Sequence, residues 1–168
     1  TWHKGLNRLF FLRDFIMTDQ EGNPKVKATT SWLVMNLDTR RLVRDPNLLD
    51  ADGVCSENVI ETPADKVQMP KDIEPELVIT HKVAYSDVDM NAHANNAMYM
   101  HWAMDVVGYE VTENREVKSW TINFNNEIKP QEDVCLYRAC TESEDGLHVF
   151  IEGKIEEKSA FVVEIVFA

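Results

Sequence analysis

The sequence predicts an α+β fold in which antiparallel sheets dominate and a single buried helix fills one of them. Three observations carry this expectation. Residues 117–167 fall into four strand-like runs separated by short polar turns, residues 95–107 form a helix pattern that is apolar on almost every side, and residues 6–37 read as a long hairpin.

Leu6 to Thr18 is rich in β-formers, with Phe10, Phe11, Phe15 and Ile16 broken by Arg8 and Arg13, and reads as one strand. The cluster Asp19-Gln20-Glu21-Gly22-Asn23-Pro24 is turn chemistry. Lys25 to Leu37 resumes with Val26, Ala28 and Thr30 alternating against Lys25, Lys27 and Thr29, closing the hairpin. From Arg44 to Pro75 no period is sustained, and five prolines and glycines interrupt the stretch (Pro46, Gly53, Pro63, Pro70, Pro75), so residues 46–75 are expected to be a linker.

A strand over Glu76 to Ala84 and the polar stretch Tyr85 to Ala94 lead into the helix Asn95 to Val107, with Asn95 or Asn96 as its cap and Gly108 as its terminator. His101 and Asp105 are the exceptions to its apolar surface, so it is expected to be buried on most sides. The final runs are Val117 to Ile128, Asp133 to Thr141, Leu147 to Glu157 and Ala160 to Phe167. A buried helix followed by an antiparallel meander describes a sheet wrapped around a helix, the architecture called a hot dog. The first hairpin has no such helix, so the expected organisation is residues 1–45 as the C-terminal part of a first unit, the 46–75 linker, and residues 76–168 as a second, complete unit.

Composition excludes several classes. A formal charge of −12 disfavours nucleic acid and anionic membrane surfaces, both of which demand clustered Lys and Arg. No apolar run approaches the roughly 20 residues of a membrane helix, so membrane insertion is not expected. Cys55, Cys135 and Cys140 are an odd, sparse set without C-x-x-C spacing, which argues against a disulfide framework and a zinc ribbon and points to a reducing compartment. The cytoplasm is the default location, with a plastid left open because the chain does not begin with Met. His3, His81, His101 and His148 show no metal-ligand spacing, so no metal is assigned.

Two places carry candidate chemistry. Asp89, Asn91 and His93 are spaced two apart just ahead of the helix, so an extended backbone would put their side chains on one face beside a positive helix end. The same residues also read as an ordinary polar loop. Glu127 ends the run in which Trp120, Ile122 and Phe124 alternate, and it reads equally as a solvated strand end or as a catalytic carboxylate.

The segment Tyr85–Trp102 resembles the signature of the acyl-acyl carrier protein (acyl-ACP) thioesterases of plants and bacteria. Ser31–Leu42 and the Thr1-Trp2 start are similar to another stretch of that family, and Trp120–Glu127 to its strand bearing a catalytic Glu. The resemblance implies tandem hot-dog domains with the active site in the second, and so roughly 80 residues of a first domain missing ahead of Thr1 at typical domain size. It also implies hydrolysis of fatty acyl-ACP to free fatty acid, which ends fatty acid synthesis, with no cofactor. Carried over, the catalytic positions are Asp89, Asn91, His93 and Glu127. Many plant members have Cys after the catalytic Glu, and this chain has Ile128 there, so a thiol nucleophile is not expected. Water would attack, with either Glu127 or Asp89 as base and with Asn91 and His93 holding the water or the oxyanion. Cys135 and Cys140 are expected to be packed strand residues.

The partner implied is an acyl carrier protein bearing a fatty acyl thioester, with a homodimer as an option. Such carriers are acidic, so docking onto a chain of −12 calls for a local basic patch, effective within a Debye length of about 8 Å. Arg40, Arg41 and Arg44 form the densest cluster, with Lys4, Arg8 and Arg13 as further candidates. The rival functions are an acyl-CoA thioesterase and a non-catalytic acyl-binding protein of the same fold.

Overall fold

The computed structural model describes residues 1–43, 53–63 and 65–168, which divide into two compact units, Thr1–Asp65 and Lys66–Ala168.

The first unit is an antiparallel sheet of three strands, β1 (Trp2–Asn7), β2 (Phe10–Thr18) and β3 (Pro24–Trp32), in that order. The expected hairpin is present as β2 and β3, with Phe11 opposite Trp32 and Phe15 opposite Ala28. Its turn is organised by Asp19, whose Oδ1 accepts the amides of Asn23 at 2.8 Å and Glu21 at 3.1 Å. The single strand expected from Leu6 to Thr18 is instead the end of β1, a turn at Arg8-Leu9, and β2. No Gly, Asn or Pro marks that turn, because Arg8 itself takes the left-handed backbone at φ 56°. β3 stops at Trp32, short of the expected Leu37, and Met35 bridges Leu42 around a turn closed by the Asn36 side chain on the Thr39 amide at 2.8 Å.

A buried ion pair lies under this sheet. Lys4 Nζ is 2.9 Å from Asp14 Oδ1, and both side chains are almost wholly buried. Asp14 Oδ2 accepts the Val59 amide at 2.7 Å, and Lys4 Nζ donates to the Ile60 carbonyl at 2.5 Å. Burial alone would raise the Asp14 carboxyl; the Lys4 ammonium and the Val59 amide outweigh it and hold the group below its ordinary value. With Val54 bridged to His3 and the Cys55 amide on the His3 carbonyl, residues 54–60 of the expected linker are laced along β1 and β2.

The second unit contains β4 (Glu76–Lys82), α1 (Asn96–Val107), α2 (Tyr109–Asn114), β5 (Val117–Phe124), β6 (Asp133–Ser143), β7 (Gly146–Ile155) and β8 (Lys158–Phe167). Its antiparallel sheet has the order β4-β6-β7-β8-β5. α1 lies on the sheet, burying Tyr99, Trp102, Ala103, Val106 and Val107 among Leu136, Val149, Ile151, Phe161, Val163 and Ile165. This is the hot-dog architecture expected from the pattern. The helix is not buried on most sides, however: Ala97, Met100, His101 and Asp105 are exposed, one stripe of the 3.6-residue period. Gly108, at φ 83°, ends α1 as expected and also turns the chain into α2, which the sequence reading passes over. Among the described residues no helix is long and apolar enough to cross a membrane.

At the far end of the β6–β7 hairpin, His148 Nδ1 is 2.9 Å from Glu164 Oε1 and Nε2 is 3.0 Å from Asp145 Oδ1. The bonds to Glu164 and then Asp145 raise His148 above its ordinary value of 6.5. The Ser143 hydroxyl, followed by His148, holds Asp145 down from 3.8 to about 2. The folded chain therefore binds the His148 proton more tightly than the unfolded chain does. That contribution is full below pH 6.5 and is lost as pH rises through the raised value. The Asp145 contribution is full above pH 3.8 and is lost as pH falls toward about 2. Amide protection at this hairpin end is expected to be greatest between about pH 4 and 6.5, and His148→Gln is expected to flatten the alkaline decline. Hydrogen exchange followed from below to above that range checks both, and an unchanged alkaline limb in the variant would refute the assignment.

Candidate active site

The site is built outward from Asp87. This buried carboxylate ends a 3-10 turn at Tyr85–Asp87, where its Oδ2 accepts the Ala84 amide and faces His81 Nε2, both at 2.8 Å. His81 in turn lies against the Trp102 ring of α1, with centroids 4.8 Å apart. The Asp87 carbonyl accepts the Asn95 amide at 2.7 Å, so one residue fixes both ends of the loop between β4 and α1.

Within that loop, residues 89–93 form a tight turn rather than the extended run that the two-residue spacing suggests. Ala92 takes φ 59°, the Asp89 amide bonds the His93 carbonyl at 2.9 Å, and Val88 bridges Ala94. Asp89 is the organiser. Its Oδ1 accepts the amides of Asn91 at 2.8 Å and His93 at 3.4 Å, and Asn91 Nδ2 lies 3.4 Å from its Oδ2. The Asn91 amide, reinforced by that of His93, holds the Asp89 carboxyl below its ordinary value. A short polar side chain that bonds its own backbone two residues on is the reason such a turn forms. The loop ends at Asn95, whose side chain caps α1 by accepting the Ala97 amide at 2.9 Å.

Glu127 reaches this loop from the end of β5. The ladder stops at Phe124, four residues before the expected Ile128, and the amides of Asn125 and Asn126 both turn onto the Ala160 carbonyl, at 2.8 and 3.0 Å. This bulge redirects the chain so that Glu127 Oε2 lies 3.4 Å from His93 Nε2. The next residue, Ile128, is fully buried, and its carbonyl accepts the Ala94 amide at 2.8 Å, tying the bulge to the loop. Tyr99 lies buried beneath, and burial drives its hydroxyl up to about 12, with the charges of Glu127 and Asp89 acting in the same direction.

The fold thus brings Asp89, Asn91, His93 and Glu127 into one cluster from two separate segments. The sequence reading passed over Asp87 and Tyr99; an isolated Asp and a helical aromatic give no signal before packing is known. Ile128 is a core residue, not a reactive one. Cys135 is half-buried on β6, but Cys140 is exposed rather than packed, toward the end of that strand. Among the described residues no group of His, Cys, Asp and Glu is arranged to hold a metal. Arg40 and Arg41 sit at the exposed tip of the Asn36–Arg41 turn, while Lys4 is consumed by the Asp14 pair; Arg44 lies outside the described residues.

Two family profiles match the chain in order: the acyl-ACP thioesterase N-terminal domain over residues 1–49 and the acyl-ACP thioesterase C-terminal domain over residues 71–166. The chain belongs to the acyl-ACP thioesterase family. It is 29% identical over 161 residues to the chloroplastic oleoyl-acyl carrier protein thioesterase 1 of Arabidopsis thaliana, covering 87% of this chain and 43% of that protein. It is 30% identical over 135 residues to the chloroplastic palmitoyl-acyl carrier protein thioesterase of Cuphea hookeriana, covering 76% and 32%. The chain therefore spans less than half the length of these curated relatives. The fold is shared with the 12:0-ACP thioesterase of Umbellularia californica, at TM-score 0.84 and 21% identity over 99% of this chain and 64% of that one. It is shared likewise with an acyl-ACP thioesterase of Bacteroides thetaiotaomicron, at TM-score 0.80 and 22% identity over 99% and 66%.

Proposed function

We propose that this chain hydrolyses the thioester of a fatty acyl-acyl carrier protein, releasing free fatty acid and carrier thiol and so ending fatty acid synthesis. The observation that carries the reading is the His93–Glu127 pair beside the N-terminus of α1. Family membership supplies the substrate class. The three-stranded sheet belongs, in this reading, to the first of two hot-dog domains, a division supported by the order of the two profile matches.

The geometry favours Glu127 over Asp89 as the general base. Asp89 already spends its oxygens on the loop amides and is held low, which weakens it as a proton acceptor. Glu127 takes a proton from water as the water oxygen attacks the thioester carbonyl. The resulting oxyanion is met by donors from Asn91, His93 and the α1 N-terminus. The tetrahedral intermediate then collapses, the C–S bond breaks, and the departing sulfur receives the proton held by Glu127. No thiol takes part: Ile128 replaces any cysteine beside Glu127, and Cys140 is a raised, exposed thiol on β6.

The acidic carrier docks on the basic turn that presents Arg40 and Arg41. All three cysteines are free thiols, in keeping with a reducing interior such as the cytoplasm or, as the plant relatives are named, a chloroplast. Rates on matched palmitoyl-ACP and palmitoyl-CoA test substrate and docking together. Faster release from the carrier substrate is expected, and Arg40→Glu with Arg41→Glu is expected to raise KM for the carrier substrate alone. Equal rates on both substrates, with no effect of the reversal, would instead favour an acyl-CoA thioesterase.

A further inference from the structure

We propose that Asn125 and Asn126 are positioning residues that clamp the start of the Asn125–Ile128 bulge onto Ser159 and Ala160 and so set the distance between Glu127 and His93. The inference rests on the reading of Glu127 as the base. A side chain just past a strand end would ordinarily swing in solvent, yet Glu127 is flanked by anchored groups on both sides. Before it, the Asn125 and Asn126 amides share the Ala160 carbonyl, Asn126 Nδ2 donates to the Ser159 carbonyl at 2.8 Å, and Asn125 Nδ2 reaches Ser159 Oγ at 3.1 Å. After it, the Ile128 carbonyl holds the Ala94 amide at 2.8 Å.

The Tyr99 ring cannot drift, since Phe124 and Phe161 meet it edge-on at centroid distances of 5.3 and 4.9 Å and Trp102 lies at 5.4 Å. Phe124 is also the last residue of β5. The same ring therefore braces the point where the strand ends and the bulge begins. Preorganisation of this kind places a base in reach of its water without reorganisation during the reaction.

The test is kcat and KM on palmitoyl-ACP for the full chain carrying Asn125→Ala or Asn126→Ala, each of which alters an exposed residue and removes its side-chain hydrogen bond to Ser159. Each is expected to lower kcat about 10-fold with KM little changed. Neither is expected to lower the remaining rate further when Glu127→Gln is already present, because a group acting only through Glu127 has nothing left to position. Equal losses in the parent and in the Glu127→Gln background would show a general structural role, and no loss in either single variant would likewise overturn the clamp. If Asn125→Ala fails to fold, Asn126→Ala decides alone. Full activity in Glu127→Gln itself would instead defeat the assignment of the base, a different result from failure of the clamp.

Discussion

Glu127→Gln is expected to lower kcat for acyl-ACP hydrolysis by about 1000-fold while leaving melting behaviour and KM nearly unchanged. A positioned general base contributes on the order of 10² to 10⁴ in rate, and Gln preserves the shape and one hydrogen-bonding oxygen of the side chain while removing its basicity. Glu127 is partly exposed at the end of a bulge, so its loss leaves no buried vacancy that would confuse stability with chemistry. His93→Ala should cost about 100-fold or more through lost oxyanion or water contacts. Asp89→Asn should cost less than Glu127→Gln, because an amide oxygen can still accept the Asn91 amide and keep the turn. Simultaneous replacement of Cys55, Cys135 and Cys140 by Ser or Ala should leave turnover intact. A folded, cysteine-free protein without hydrolysis would defeat the water mechanism, and an active Glu127→Gln enzyme would remove Glu127 from it.

The second large effect concerns stability. Lys4→Met leaves the Asp14 carboxylate buried with the Val59 amide but without its cation. Breaking a buried pair from one side costs about 3–5 kcal/mol; about 3 kcal/mol is expected here, the lower end, since among the described residues of this unit one sheet and the 53–63 segment cover the pair. The double change Lys4→Met with Asp14→Leu should recover most of the loss, because no charge then stays buried. Amide exchange in β2 reads this directly and separates the first unit from the second. If Lys4→Met leaves exchange in β2 as it is in the parent, the pair is not an energetic anchor.

Much of the second unit was legible in the sequence because its signals are local. Strand-like runs set off by short polar turns marked β6, β7 and β8, and the Asn95 cap and Gly108 stop bounded α1 to within one residue. The division of β1 from β2 was not legible, since Arg8 makes a left-handed turn that no residue type advertises. Nor did the polar composition of residues 54–60 disclose that they would be laced to a buried ion pair. Their partners, Lys4 and Asp14, lie some fifty positions away in the chain.

The candidate site divides in the same way. The sequence by itself determined which residues are available, namely Asp89, Asn91 and His93 before a capped helix and Glu127 after an alternating strand, together with the absence of a thiol beside Glu127. Only the tertiary structure decided how they are shared out. It folded Asp89 back onto its own loop, where backbone amides hold it ionised, and it used a bulge on the Ala160 carbonyl to carry Glu127 to within 3.4 Å of His93. Spacing along a chain fixes side-chain direction only while the backbone is regular, and both segments of the candidate site lie where regular structure stops.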